Sequence, residues 1–119
     1  MPKDSLENLN RRLKRFAQTR DWEQFHTPKN LTMAMIAECA ELVEHFQWLS
    51  AEESMNLSPE KQDAVALEMA DILIYLIRCA ERLDVDLIDA VERKIAINEA
   101  RYPTEKVFGD ARRASEYDE

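Results

Sequence analysis

Apolar residues recur every three to four positions in four segments of the chain, a spacing that places them on one face of an α-helix. The predicted helices cover residues 5–20, 31–49, 59–83 and 87–102. Capping residues mark the predicted starts, and a proline marks the last end: Asp4 with Glu7, Asn30, Ser58 with Pro59, Asp86, and Pro103. The pattern predicts an all-α fold, a compact bundle of about four helices.

The composition fits one small helical domain. The chain has 119 residues and a single glycine, Gly109, so few tight turns interrupt the helices. We predict a helical domain over residues 1–103. Residues 104–119 show no sustained periodicity, and we expect this tail to be mobile or to lie across a neighbour.

The net charge of −8 disfavours binding to duplex nucleic acid or to an anionic membrane, and it suits a divalent cation. The first ten residues lack an apolar leader, and the longest aliphatic and aromatic run covers only residues 72–77. We therefore expect a soluble, cytoplasmic protein without a membrane partner. Cys39 and Cys79 lie in apolar helical contexts, which indicates reduced thiols.

The third predicted helix is apolar almost all round from residue 65 to residue 80, yet it carries two carboxylates. Glu68 and Asp71 share one narrow stripe with Tyr75 and Arg78. A helix that is apolar on nearly every side is buried on nearly every side. In a chain this short, the pattern predicts a subunit interface in addition to the internal core.

The second predicted helix offers two acidic pairs at the same spacing, Glu38 with Glu41 and Glu41 with Glu44. Glu38 borders the apolar sector, while Glu44 lies near the opposite side, so the inward pair is Glu38 and Glu41. Trp48 continues this stripe two turns later.

The fourth predicted helix also mixes polar groups into its apolar face. Leu87, Val91 and Ile95 define that face, Asn98 falls within it, and Lys94 lies at its edge. An asparagine on a core-facing stripe needs hydrogen-bond partners.

Two helices that each present two carboxylates one turn apart suggest a site for a hard cation, with Glu38, Glu41, Glu68 and Asp71 as oxygen ligands of Mg²⁺ or Mn²⁺. One other interpretation remains open. Lys94 or Arg78 could pair with Glu68 and Asp71 as structural ion pairs. A di-iron bundle is disfavoured, because such sites use Glu-x-x-His on two helices and the only instance here, Glu23 to His26, precedes Pro28 in a break between helices.

Four stretches together resemble a known family: DWEQFHTPKNL, ECAELVEHFQW, LEMADILIYL and ERKIAINEARYP. They are similar to the MazG-type all-α nucleotide pyrophosphohydrolases, and within these to the dCTP pyrophosphatase branch. The resemblance covers about residues 6–103, so the predicted domain 1–103 is MazG-like. The chain departs from the family in the short segment between FQW and the third helix and in its unrelated tail.

The resemblance implies Mg²⁺-dependent hydrolysis of a nucleoside triphosphate between the α and β phosphates, by dimers or tetramers whose active sites lie between subunits. It implies that the four carboxylates bind the metal. From the chemistry of the reaction, we also expect Glu38 or Glu41 to orient or deprotonate the attacking water. Six further residues match positions that contact substrate: Trp22, His26, Trp48, Tyr75, Lys94 and Asn98.

Two functions follow as hypotheses. The first is an enzyme of nucleotide-pool sanitation that converts dCTP, or a modified dCTP, to the monophosphate and pyrophosphate. The alternative is a non-catalytic helical module that binds a nucleotide or partner helices and keeps its carboxylates as structural charges.

Overall fold

All the elements in the described part of the chain are helical, as the sequence predicts. The computed structural model describes residues 5–112 and 114–117. The chain divides into two compact units, one up to Val85 and one from Asp86. The first unit holds the helices α1 (Leu6–Thr19), α2 (Pro28–Glu44), α3 (Ala51–Ser54) and α4 (Pro59–Arg82). The second unit holds α5 (Leu87–Arg101), α6 (Thr104–Val107) and a 3₁₀ turn (Ala114–Tyr117).

Two predicted helix starts are confirmed by their capping hydrogen bonds. The Ser58 side chain accepts from the backbone N–H of Lys61, and Pro59 occupies the first turn of α4. The Asp86 side chain accepts from the N–H of Asp89 at the start of α5. Each cap satisfies a backbone donor that the helix itself leaves unpaired.

The predicted start of α2 is wrong by three residues. Thr27, rather than Asn30, is the N-cap, and Pro28 opens the helix. The N–H of Asn30 donates to the Thr27 hydroxyl, while its side chain donates to the carbonyl of Phe25. Proline is well suited to the first helical position, because its missing N–H would have no partner there.

The predicted end of α2 at residue 49 is also wrong, because the helix stops at Glu44. The N–H groups of Phe46 and Leu49 each bond a carbonyl three residues back, so the chain tightens into turns. The polar connection that follows contains the unpredicted helix α3. Ser50 and Glu53 start it with a reciprocal capping box.

The chain ends differ in detail from the predictions. Ser5 caps α1 by accepting from the N–H of Asn8, and the predicted cap Asp4 lies outside the described residues. The tail contains α6 and the 3₁₀ turn, while residues 113, 118 and 119 lie outside the described part. The mobility of the tail stays a prediction.

Aspartate, rather than glycine, ends two of the helices. Asp21 and Asp84 each have a φ of 55°, and each follows the C-cap of a long helix. The next N–H reaches back to close the last turn, from Trp22 to the Ala17 carbonyl at 2.9 Å and from Val85 to the Ala80 carbonyl at 2.8 Å. The first of these turns fixes where the loop that follows α1 leaves the helix.

The core of the first unit forms where α2 and α1 pack on α4. Its buried apolar side chains are Ala17, Leu31, Val65, Ile77, Cys79 and Ala80. Large apolar side chains stay exposed elsewhere on α2 and α4: Met33, Ile36, Val43, Leu67, Met69, Leu73, Ile74 and Leu76. Within the described residues, no helix combines the length and apolar character that crossing a membrane requires.

Candidate metal and nucleotide site

Three of the four predicted metal ligands come together between α2 and α4. Glu38, Glu41 and Glu68 each offer a carboxylate oxygen, and these oxygens all lie within 4.8 Å of one another. Glu38 and Glu68 are half-buried, whereas Glu41 is exposed. Glu44 is exposed, as its place on the far side of the helix predicts.

Asp71 lies one turn beyond Glu68 on α4, outside this group of three, and its side chain is exposed. Its charge still acts on the cluster, because it is among the causes that raise the pKa of Glu38. The role of Asp71 as a fourth ligand stays a prediction.

The proximity of the carboxylates raises the pKa of Glu38 to about 7. The largest cause is the hydrogen bond that a shared proton would make between Glu38 and Glu68, followed by one with Glu41, then burial, then the charges of Glu41 and Asp71. Two ionised carboxylates hold only acceptors, so such a bond requires a proton on one of them. Without a cation, the cluster therefore holds a proton near neutral pH.

The donor set fits a hard divalent cation. Oxygen Oε2 of Glu38 and Oε2 of Glu68 are buried and lack a hydrogen-bond partner among the described residues. Buried carboxylate oxygens without partners are costly, and a cation compensates them. Carboxylate ligands suit Mg²⁺ and Mn²⁺ better than softer metals.

The predicted pocket residues Trp22 and His26 lie on the loop between α1 and α2. The Trp22 ring packs edge-on against Phe16 at 5.7 Å between centroids, and the His26 ring lies 6.3 Å from the Trp22 ring. Burial is the main reason why the pKa of His26 is lowered, and the Arg78 and Arg82 charges lower it further.

The other predicted substrate residues lie at separate places. Trp48, in the turns after α2, is 87% exposed, so it is no core anchor of the described chain. Tyr75 lies half-buried on α4, one turn beyond Asp71. Lys94 and Asn98 are exposed on α5, which belongs to the second unit.

Arg78 does not pair with Glu68 or Asp71 in any ion pair found among the described residues. Its guanidinium instead donates to Glu81 at 3.1 Å and to the His26 ring at 3.3 Å, and it lies 3.6 Å from Glu23. Glu81 also pairs with Lys14 of α1 at 3.2 Å.

Sequence reasoning missed Glu23 and Glu81 as partners of Arg78. The spacing of Arg78 and Glu81, three positions apart on one helix, was a visible signal for that pair. The contacts of Arg78 with the loop between α1 and α2 join positions far apart in the chain, and no local pattern indicates them.

Three comparisons with known proteins, by family model, by related sequences and by solved structure, agree on the kind of protein that this chain resembles. The MazG-like family model matches residues 33–116. The chain is 42% identical to human dCTP pyrophosphatase 1 over 97% of its own length and 69% of that protein. It is 43% identical to the mouse dCTP pyrophosphatase 1 over 92% of its length and 66% of that protein. A crystal structure of a pyrophosphatase from Archaeoglobus fulgidus aligns with a TM-score of 0.78 and 39% identity, over 82% of this chain and 92% of that one.

The family model covers more than half of the chain. The human and archaeal relatives align with the chain over most of their own length, at 42% and 39% identity. The all-helical fold and the carboxylate cluster agree with that assignment. The chain belongs to the MazG-like family and is a nucleotide pyrophosphohydrolase.

Proposed function

We propose that this protein hydrolyses dCTP, or a dCTP with a modified base, to the deoxynucleoside monophosphate and pyrophosphate. The observation that carries the proposal is the cluster of Glu38, Glu41 and Glu68, in which two buried oxygens have no hydrogen-bond partner among the described residues. The dCTP pyrophosphatases that the chain resembles supply the substrate class. Attack of water on the α-phosphate, with pyrophosphate as leaving group, is the reaction that this substrate and these products require.

Mg²⁺ is the proposed cofactor, with Mn²⁺ as a substitute, and Glu38, Glu41, Glu68 and Asp71 would hold it. When bound, the cation neutralises phosphate charge and acidifies a water molecule. The proposal assigns proton removal from the attacking water to one glutamate of α2, Glu38 or Glu41. Both lie in the cluster, so either reaches the same small volume.

We assign different residues to the base, the sugar and the phosphates of the nucleotide. Trp48, Trp22 and His26 form the surfaces for the base, because aromatic faces stack on nucleobases. Tyr75 excludes a ribose 2′-hydroxyl by bulk. Lys94 offsets phosphate charge as a point cation, and Asn98 bonds the sugar 3′-hydroxyl.

The proposal includes a homo-oligomer, a dimer or a tetramer, with the active site completed between subunits. Its support is the set of large apolar side chains that α2, α4 and α5 leave exposed, because extensive exposed apolar surface marks interaction sites. A cytoplasmic role in nucleotide-pool sanitation completes the proposal, since free deoxynucleoside triphosphates are its substrates.

A product-release assay tests the proposal. The purified protein is incubated with Mg²⁺ or Mn²⁺ and a panel of canonical and modified dNTPs and NTPs, and the products are separated. Monophosphate plus pyrophosphate from cytosine deoxynucleotides is the expected result. Diphosphate plus orthophosphate would refute the proposed bond, and no hydrolysis of any nucleotide would favour the non-catalytic module.

A further inference from the structure

Arg78 is the one charged side chain that the described residues bury in the core of the first unit. It is 2% exposed, on a stretch of α4 where Ile77, Cys79 and Ala80 are also buried. A buried cation is costly unless carboxylates or other acceptors surround it. The residues that contact the Arg78 guanidinium show which segments of the chain it connects.

The partners of Arg78 join three segments of the first unit. Glu81 lies on α4 itself and is shared with Lys14 of α1, while Glu23 and His26 lie on the loop between α1 and α2. Arg78 and His26 are separated by 52 positions in the sequence. The guanidinium therefore ties the loop to the long helix that also carries Glu68.

The Arg78 contact decides which ring nitrogen of His26 carries the proton. A guanidinium has only donors, so the atom that faces its Nε must supply a lone pair. That atom is Nδ1 of His26, at 3.3 Å. The imidazole is then neutral and its proton is on Nε2, for which no partner is found among the described residues.

The charges around the ring act in the same direction. The pKa of His26 is lowered by burial first, then by Arg78 and Arg82, and only Glu23 opposes these effects. The neutral ring is thus the form that its surroundings favour at neutral pH.

We propose that Arg78 is a positioning residue that holds His26 as the neutral Nε2–H tautomer, so that the ring donates through Nε2 to an acceptor atom of the bound nucleotide. The inference rests on the proposed function, because it places His26 in the nucleotide pocket. Arg78 itself stays in the core and acts on the nucleotide only through His26. The Trp22 ring lies on the same loop, 6.3 Å from the His26 ring.

Nitrogen-15 NMR of the wild-type protein tests the tautomer directly. At pH 7 we expect Nδ1 of His26 to appear as an unprotonated nitrogen and Nε2 as a protonated one. The chain has two histidines, so His45 serves as an internal reference in the same spectrum. A proton on Nδ1 of His26, alone or together with one on Nε2, would overturn the proposal.

Kinetics of two substitutions test the action on the substrate. We expect His26→Phe to raise KM for dCTP by about three- to tenfold, the effect of one neutral hydrogen bond, with kcat nearly unchanged. His26→Gln keeps an amide N–H near the place of Nε2 and should recover most of that loss. Arg78→Met should raise KM by a similar factor and give His26 a mixed tautomer spectrum.

The double variant Arg78→Met/His26→Phe separates positioning from general stability. If Arg78 acts through His26, the double variant has the KM of His26→Phe alone, whereas two independent effects multiply. Lys14→Met is the matched control, since it removes the other partner of Glu81 and leaves the His26 contact intact. Multiplying effects, or an equal rise of KM in the control, would overturn the proposal.

The two proposals fail in different ways. If the wild-type protein hydrolyses no nucleotide, the proposed function is wrong, and the tautomer is still read from the spectrum of the free protein. Addition of dCTP with EDTA then decides the donor role, because an unchanged Nε2 resonance at saturating dCTP would overturn it. If Arg78→Met does not fold, the His26 substitutions and the wild-type spectrum carry the test, since they leave the buried charge in place.

Discussion

Glu38 and Glu68 come from different helices, α2 and α4, and each brings a buried carboxylate oxygen without a hydrogen-bond partner among the described residues into one cluster. Folding thus brings two carboxylates together, and no basic side chain among the described residues forms an ion pair with either of them. The cost of this arrangement is recovered only when a proton or a cation enters the cluster. Protonation and metal binding therefore compete at this site.

The contribution of Glu38 to the stability of the metal-free protein should fall as the pH rises from about 5 to about 8. The folded state raises the pKa of Glu38 to about 7, above its ordinary value of 4.5, so the folded protein binds this proton more tightly than the unfolded chain. The resulting stabilisation is complete below pH 4.5 and is lost as the pH rises through about 7. Urea denaturation in EDTA at a series of pH values measures the effect.

The Glu38→Gln variant is the control for this pH profile. His26 contributes with the opposite sign, since its lowered pKa gives stability above its ordinary value of 6.5 that is lost as the pH falls through the lowered pKa. This contribution is the same in both proteins, so the wild-type minus Glu38→Gln difference isolates Glu38. A difference that does not change between pH 5 and 8 would show that Glu38 holds no proton in the folded state.

Glu68→Gln should change activity and stability in opposite directions. Loss of a metal ligand should lower kcat/KM by at least about a hundredfold, the upper range for loss of a residue that only supports a ligand. The metal-free protein should at the same time become more stable, because one of the crowded carboxylates is gone. Steady-state kinetics and thermal melting in EDTA give the two readouts.

The matched control for Glu68→Gln is Glu44→Gln, an exposed glutamate on α2 that lies outside the cluster. It should change neither readout. If Glu68 were instead half of a structural ion pair, its substitution would destabilise the protein. Lower stability of Glu68→Gln, with turnover retained, would thus refute the metal site and support the non-catalytic module.

The parts of the fold that sequence reasoning predicted well are those with a local chemical signature. Ser58 followed by Pro59 marks the start of α4. Pro103 prevents α5 from continuing past residue 102. Thr27 followed by Pro28 is a signature of the same kind, but Pro28 also fits a break between helices, so the predicted start of α2 is three residues too late. A proline in the interior of a helix interrupts that helix, whereas a proline in the first turn is compatible with the start of one.

In the candidate site, too, local patterns predict positions on one helix but not contacts between distant segments of the chain. Helical periodicity was enough to choose Glu38 and Glu41 and to set Glu44 aside, because all three lie on one helix. The two carboxylate pairs predict that α2 and α4 meet, and the packing of these helices confirms it. The contact between Arg78 and His26 depends on the path of a loop and on tertiary packing, and no periodic pattern encodes it.

Val91→Lys should convert the proposed oligomer into a smaller species. Val91, Ile88 and Ile95 are each about half exposed on α5, so an apolar patch on this helix is open to a partner subunit. A lysine in such a patch buries an unpaired charge on association. Light scattering after size exclusion measures the mass, and Glu92→Lys, at a neighbouring exposed position of the same helix, is the control. An unchanged mass for Val91→Lys would exclude this patch from the interface.

Trp48→Ala should weaken dCTP binding without a cost in stability. The indole is 87% exposed, so its removal takes little apolar surface out of the core. If the indole stacks on the base, its loss should raise KM by about fivefold or more, since one base–aromatic stack contributes about 1–3 kcal/mol. Steady-state kinetics with dCTP and thermal melting provide the two measurements.

Met55→Ala is the matched control for Trp48, because Met55 is also a large apolar side chain, 83% exposed, and lies outside the predicted pocket. It should leave both KM and the melting temperature unchanged. A lower melting temperature for Trp48→Ala with an unchanged KM would assign the indole to a subunit contact. An increase in KM that is the same for dCTP and for the other deoxynucleoside triphosphates would mean that Trp48 stacks on any base, and that the choice of cytosine is made by groups that contact the edge of the base.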